Sequence, residues 1–162
     1  MYIVVGLGNP GWEYSHTRHN TGRLATEFMS GKVSNIKILT PDTFMNKTGP
    51  AVAKVMAGKS AKKSLIVVYD DLDLPLGSLK ISYNRSSGGH KGLESIIRAL
   101  KTKEFIRIRI GIDKKGDVEK YILGQFKKPE LKALKKVFKK VTEAVQMIVE
   151  EGREKAMNKF NS

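Results

Sequence analysis

The chain has 162 residues, 40% of them apolar, with thirty Lys and Arg against sixteen Asp and Glu, a net charge of +14 and no cysteine. That length suits one domain with a substantial core, and the missing thiols exclude disulfides, thiolate metal sites and a cysteine nucleophile while fitting a reducing compartment. No basic-then-apolar leader occurs and no apolar run approaches about 18 residues, so neither export nor membrane spanning is supported and a cytoplasmic protein is expected.

The charge excess points to a polyanionic partner, and with aromatics at only 7% contacts to a phosphate backbone are favoured over stacking on bases. In chain order, "YIVVGL" reads as a strand. The following "VVGLGNPG", residues 4 to 11, spells G-x-G-x-x-G, the letters of a dinucleotide-binding turn. Three features argue against that reading. Pro10 occupies an x position, "WEYSHTRHN" brings no apolar residue at helical spacing before Leu24 and Phe28, and no strand ends in an acid about 20 residues on.

Arg23 to Met29 reads as part of a helix, "IKIL" as a strand and Ala51 to Met56 as a helix. "SLIVVYD" reads as a central strand covered on both faces, "SLKIS" as another strand and "GLESIIRAL" as a helix. In "FIRIRIGI", Arg107 and Arg109 alternate with isoleucines, which predicts a strand with one wet or functional face. From Pro129 to Glu151, apolar residues from Leu131 to Ile148 recur at steps of three and four, the mark of an amphipathic helix. Between Lys127 and Lys140 its flank carries seven lysines and one glutamate. Such a run is either a solvated face or a phosphate-binding stripe. The alternation predicts an α/β class: a single-domain three-layer sandwich over residues 1–162, its twisted mixed sheet flanked by helices, with a basic amphipathic C-terminal helix.

Four polar stretches need explaining: "NPGWEYSHTRHNTG", "PDTFMNKTG", "YDDLDLPLG" and "SSGGHKG". The first three leave carboxyl ends of strands, where α/β sheets bind ligands. His19, His90 and His16 are the groups able to move protons near neutral pH, although any one of them alone also fits a cap or surface role. Asp70, Asp71 and Asp73 offer a carboxylate to fix a histidine tautomer. The same run also fits a capped turn or a Mg²⁺ site, but Leu72 and Leu74 between the acids make one shared ion a poor fit. Asn9 and Asn46 suit the carbonyl of an amide or ester. Their structural alternatives are a turn residue and a helix cap. Together the set describes a site that activates water without metal or covalent nucleophile.

These segments, in order from Val4 to Ile112, resemble the bacterial-type peptidyl-tRNA hydrolases; "GLGNPG" followed by "TRHN", "TFMN" and "DDLDLP" is the specific part. The resemblance implies cleavage of the ester between peptide and tRNA, with peptidyl-tRNA as partner, no cofactor or metal, and a monomer. It implies His19 as general base and Asp70 as its orienting acid. Asn9, Tyr14, Met45 and Asn46 would line the peptide and ester site, with His90 in a mobile "GGH" gate. Arg109 would contact tRNA phosphate, and Lys132 and Lys136 on the basic helix would track a stem. Three departures stand out: Lys91 occupies a position usually held by Asn and keeps a place among the substrate-binding residues, and Ser82 occupies one usually basic, with Lys80 or Arg85 as substitutes. Residues 29 to 41 are also shorter than usual, which predicts a lost strand and a sheet edge that another element must cover. A tRNA-binding homologue with weakened catalysis is the alternative these departures raise.

Overall fold

The computed structural model, which describes residues 1–162, is organised by one five-stranded sheet: β1 (Tyr2–Gly6), β2 (Ile36–Leu39), β3 (Leu65–Asp71), β4 (Leu79–Tyr83) and β5 (Ile106–Gly111). The strand order is β2-β1-β3-β5-β4. The first four in that order run parallel and β4 lies antiparallel to β5. Helices α1 (Thr21–Met29), α2 (Thr48–Met56), α3 (Ala61–Ser64), α4 (Lys91–Leu100), α5 (Val118–Leu123), α6 (Lys128–Glu151) and α7 (Arg153–Phe160) complete the fold. The expected sandwich is present, and each segment read as a strand or helix forms that element.

β3, which opens on the all-apolar run Leu65–Val68, is central because it feeds two cores. Ile66 and Val68 meet α1, α6 and α7 on one face, through Ala25, Val141 and Ala156 among others. Leu65, Val67 and Tyr69 meet α2 and α4 on the other, through Val52, Leu93 and Ile96. Three short helices, α3, α5 and α7, lie outside the expected set. The basic amphipathic helix is therefore the penultimate element: Gly152, with φ of 92°, breaks it from α7, because left-handed backbone there ends a helix at low cost.

The glycines of "VVGLGNPG" serve helix packing. A Cβ on Gly6 would collide with Thr26 and the Gly22 carbonyl, and one on Gly8 would lie 2.9 Å from the Asn20 side chain. Gly22 in turn lies against the Val68 carbonyl, so α1 rests directly on β1 and β3. The space a pyrophosphate would need is filled by the helix.

The sheet has two edges, treated differently. Along β4, the Asn161 carboxamide accepts from Ile81 N (2.8 Å) and donates to Ile81 O (2.8 Å). The other edge is β2, only four residues long with Lys37 exposed. The cover expected there is absent; brevity and a charge on the strand serve instead. No helix is long and apolar enough to cross a membrane.

Candidate active site

The close seat of α1 on the sheet decides where its entry turn lies. Residues Arg18–Asn20 form a 3-10 turn leading into α1, beside the carboxyl end of β3, where Asp70 follows Val68 on the same face. His19 Nδ1 lies 2.8 Å from Asp70 Oδ2, and His90 Nε2 lies 2.9 Å from Asp70 Oδ1. The two rings stand 4.8 Å apart. One buried carboxylate thus serves two imidazoles, each oxygen engaged by one ring.

The partners assign the tautomers. His90 Nδ1 accepts the Leu93 N–H as the N-cap of α4 (3.3 Å), so its proton sits on Nε2 and is donated to Asp70. His19 donates from Nδ1, which leaves the Nε2 lone pair without a protein partner and open to solvent. Burial alone would lower the His19 pKa, but the Asp70 charge and hydrogen bond together outweigh it and raise the value above its ordinary 6.5, with Lys91 pulling slightly the other way. Burial likewise opposes ionisation of Asp70, and the two imidazoles overcome it, holding the carboxyl well below the usual carboxylate range. A carboxylate that stays charged is what a histidine base requires to keep its tautomer and absorb an incoming proton.

The two loops after β1 and β2 are stitched beside this pair by carboxamides. Asn20 accepts from Asn9 N (2.8 Å) and donates to Asn9 O (3.0 Å), while Asn9 Oδ1 accepts from Met45 N (2.8 Å). The Asn9 Nδ2 donor has no protein partner and is not sealed from solvent. Met45 is buried, packed where Gly92 of α4 leaves no room for a Cβ. Asn46 is exposed in the 3-10 turn Met45–Lys47, and the cap position of α2 belongs to Lys47, not to Asn46. Tyr14 packs edge-on against the exposed Phe44 at 6.2 Å, joining the loops after β1 and β2.

The His90 ring is tied to Asp70 on one side and to α4 on the other, with the Tyr69 ring 5.0 Å away. Burial pushes the Tyr69 phenol up to about 12, so it stays protonated. Lys91 is exposed, 3.8 Å from Glu119 of α5. Asp70, His19 and His90 present donor atoms within 4.8 Å of one another, close enough to hold a metal ion. Their nitrogen protons occupy the carboxylate oxygens, so a metal would have to dismantle both hydrogen bonds. Asp71 does not join them: it pairs with Arg109 (2.8 Å) and accepts from Asp73 N, so the acids of "DDLDLP" are divided among separate tasks.

The wet face predicted for β5 is not wet. Arg107 is 0% exposed and Arg109 6%. Alternation identifies residues that share a face but not what covers them, and both guanidinium groups fold down onto the protein. Arg107 donates to the carbonyls of Lys103, Phe105 and Arg85, and burial lowers its pKa to about 10. Arg109 donates to Asp71 and to Ser82 Oγ (3.1 Å), which explains a hydroxyl at position 82. It lies in the floor of an open depression of about 440 Å³ with Lys80, Arg85 and Asn161 around it. Lys132 and Lys136 line a different groove of about 430 Å³, between α6 and the loop at Gly77. Sequence reading missed Asn20 and Arg18. Both stand in the "TRHN" motif on either side of His19, but nothing in that motif assigned them a partner.

Fold and site define a class: α/β proteins that hold an imidazole–carboxylate pair and free carboxamides at the carboxyl ends of a mostly parallel sheet, an arrangement suited to moving a proton to or from water. A family model described as peptidyl-tRNA hydrolase matches residues 3–162. The chain is 41% identical to a peptidyl-tRNA hydrolase of Thermodesulfovibrio yellowstonii over 185 residues, covering 99% of each. It is 43% identical to one of Fervidobacterium nodosum over 178 residues, covering 99% of this chain and 96% of the relative. The crystal structure of peptidyl-tRNA hydrolase from Acinetobacter baumannii superposes with a TM-score of 0.92 at 28% identity, covering 100% of this chain and 95% of that one. The chain belongs to the peptidyl-tRNA hydrolase family.

Proposed function

We propose that this chain hydrolyses the ester joining a peptide to the terminal ribose of tRNA, with His19 as general base. The observation that carries the reading is the hydrogen bond from His19 Nδ1 to Asp70, which leaves Nε2 free to accept. Water held at Nε2 attacks the ester carbonyl carbon as its proton passes to His19, and Asp70 stabilises the resulting imidazolium. The carboxamide nitrogens of Asn9 and Asn46 donate to the oxygen on which negative charge develops. The bond from the carbonyl carbon to the ribose oxygen then breaks, and the proton on His19 goes to that oxygen. The products are tRNA with its hydroxyl restored and a peptide carboxylic acid, which releases its proton to solvent as the carboxylate.

Tyr14 and Met45 shape the wall for the peptide, and Lys91 stands at the rim. Lys80, Arg85 and Arg109 form one phosphate-binding area and Lys132 with Lys136 a second, in keeping with the net charge of +14. A monomer working in the cytoplasm completes the reading, since a bulky tRNA must reach an unobstructed face. The intact set of His19, Asp70 and Asn9 favours turnover over mere binding. Release of labelled peptide from purified peptidyl-tRNA tests this: His19→Ala should lose about 10²- to 10⁴-fold in rate, and a chelator should change nothing. Equal rates in wild type and His19→Ala overturn the assignment, and strong inhibition by a chelator transfers the role to a metal on His19, Asp70 and His90.

A further inference from the structure

The residue before the imidazole is held as firmly as the imidazole itself. Arg18 is buried. Its backbone N–H donates to Gly124 O (3.1 Å), Nη1 to Tyr121 O (3.3 Å) and Nη2 to Glu130 Oε1 (3.1 Å). The guanidinium lies over the Tyr121 ring, 4.3 Å from its centroid. On either side, Thr17 bridges to Gln125 and Phe126 N donates to His16 O (3.0 Å). The same Glu130 oxygen accepts from Lys127 N (2.8 Å) and so caps α6, the helix that carries the lysine row.

An exposed ion pair of mobile side chains contributes little. This one is largely shielded, and the planar guanidinium meets a carboxylate, a carbonyl and an aromatic face at once, a combination that favours Arg over Lys. The hydrolysis itself makes no use of the Arg18 charge. We propose that Arg18 is a positioning residue for the reaction: by tying the His19 turn to Glu130 at the start of α6, it sets the direction of the His19 Nε2 atom and links the base to the lysine-bearing helix. The inference rests on the reading of His19 as base. The groups facing His19 are Asp70 from β3 and His90 with Lys91 from α4; α5 contributes Glu119 through Lys91, and α6 contributes Glu130 through Arg18.

When the turn is released, His19 drifts from Asp70 and loses the charge that holds its proton. The test is peptide release measured across pH for Arg18→Lys and Glu130→Gln, alongside thermal unfolding. In Arg18→Lys, kcat falls on the order of 10- to 100-fold with KM unchanged, and the acid limb of the rate profile moves to lower pH; Glu130→Gln moves both in the same direction by less. Wild-type kcat in the folded variants overturns the proposal, as does a fall in kcat with the acid limb unmoved, which marks a merely structural role. If Arg18→Lys does not fold, Glu130→Gln decides by the same criteria. His19→Ala separates the two readings: full activity there removes the base itself, whereas an inactive His19→Ala beside unaffected Arg18→Lys and Glu130→Gln removes only Arg18.

Discussion

His19 and Asp70 are 51 residues apart in the chain and share a buried hydrogen bond of 2.8 Å, made possible because α1 lies on the sheet closely enough to set its first turn against the end of β3. The bond fixes both the tautomer of the ring and the pH at which it works. Only neutral His19 accepts a proton, and its pKa is raised above 6.5. Activity should therefore climb with pH through a midpoint above 6.5 and then level. Asp70 remains ionised throughout that range. Asp70→Asn should lower kcat on the order of 10³-fold and move the midpoint down, because burial then acts on His19 without an opposing charge. A pH–rate profile of the two proteins checks both statements, and an unmoved midpoint contradicts the pairing.

Lys91 acts on the same ring with the opposite sign. Its ammonium lowers the His19 pKa, so Lys91→Asn should shift the acid limb to higher pH. The exposed pair with Glu119 is removed as well, at a cost in stability of less than about 1 kcal/mol. The measurement is again the pH–rate profile, with the unfolding midpoint expected to stay within error.

Lys80 and Arg109 are opposite each other on β4 and β5, yet they call for different variants. Lys80 is exposed, and Lys80→Ala should weaken tRNA binding and reduce the slope of log affinity against log salt by roughly 0.7 to 0.9 for each phosphate no longer neutralised. Arg109→Ala strands the Asp71 carboxylate and should cost about 3–5 kcal/mol in stability. Binding titrations at several salt concentrations, with unfolding curves alongside, distinguish a weakened RNA interface from an unfolded chain. The same titration on Lys132→Ala with Lys136→Ala reports whether α6 meets RNA.

Gly22 bears on stability and site together. A Cβ there would run into the Val68 carbonyl and the Leu7 nitrogen, 2.8 Å away. Gly22→Ala should destabilise by roughly 1–3 kcal/mol and, by lifting α1 and its first turn, reduce kcat more than KM. Thermal unfolding and steady-state kinetics on one preparation check both.

The elements with strong periodicity were legible from the residues. β3 opens on a bare apolar run, Leu65–Val68, and α6 repeats over many turns, so pattern alone identified them. Helices α3 and α5 were not, since four and six residues do not complete enough turns for a period to register. At the site, the polar residues were legible by type and by family resemblance, but their partners were not. Nothing in "TRHN" indicates that its arginine reaches Glu130, 112 positions on, or that Asn20 braces Asn9. Arg107 and Arg109 expose the limit most directly: the alternation of β5 correctly gave them one face, and a long guanidinium stem then let that face close over itself.

The carboxamide of Asn161 occupies the rim of β4 as a sixth strand would, offering one acceptor and one donor to Ile81 in the spacing of a backbone amide. A single side chain thereby ends the sheet from within, leaving no template at that residue on which another molecule could extend it.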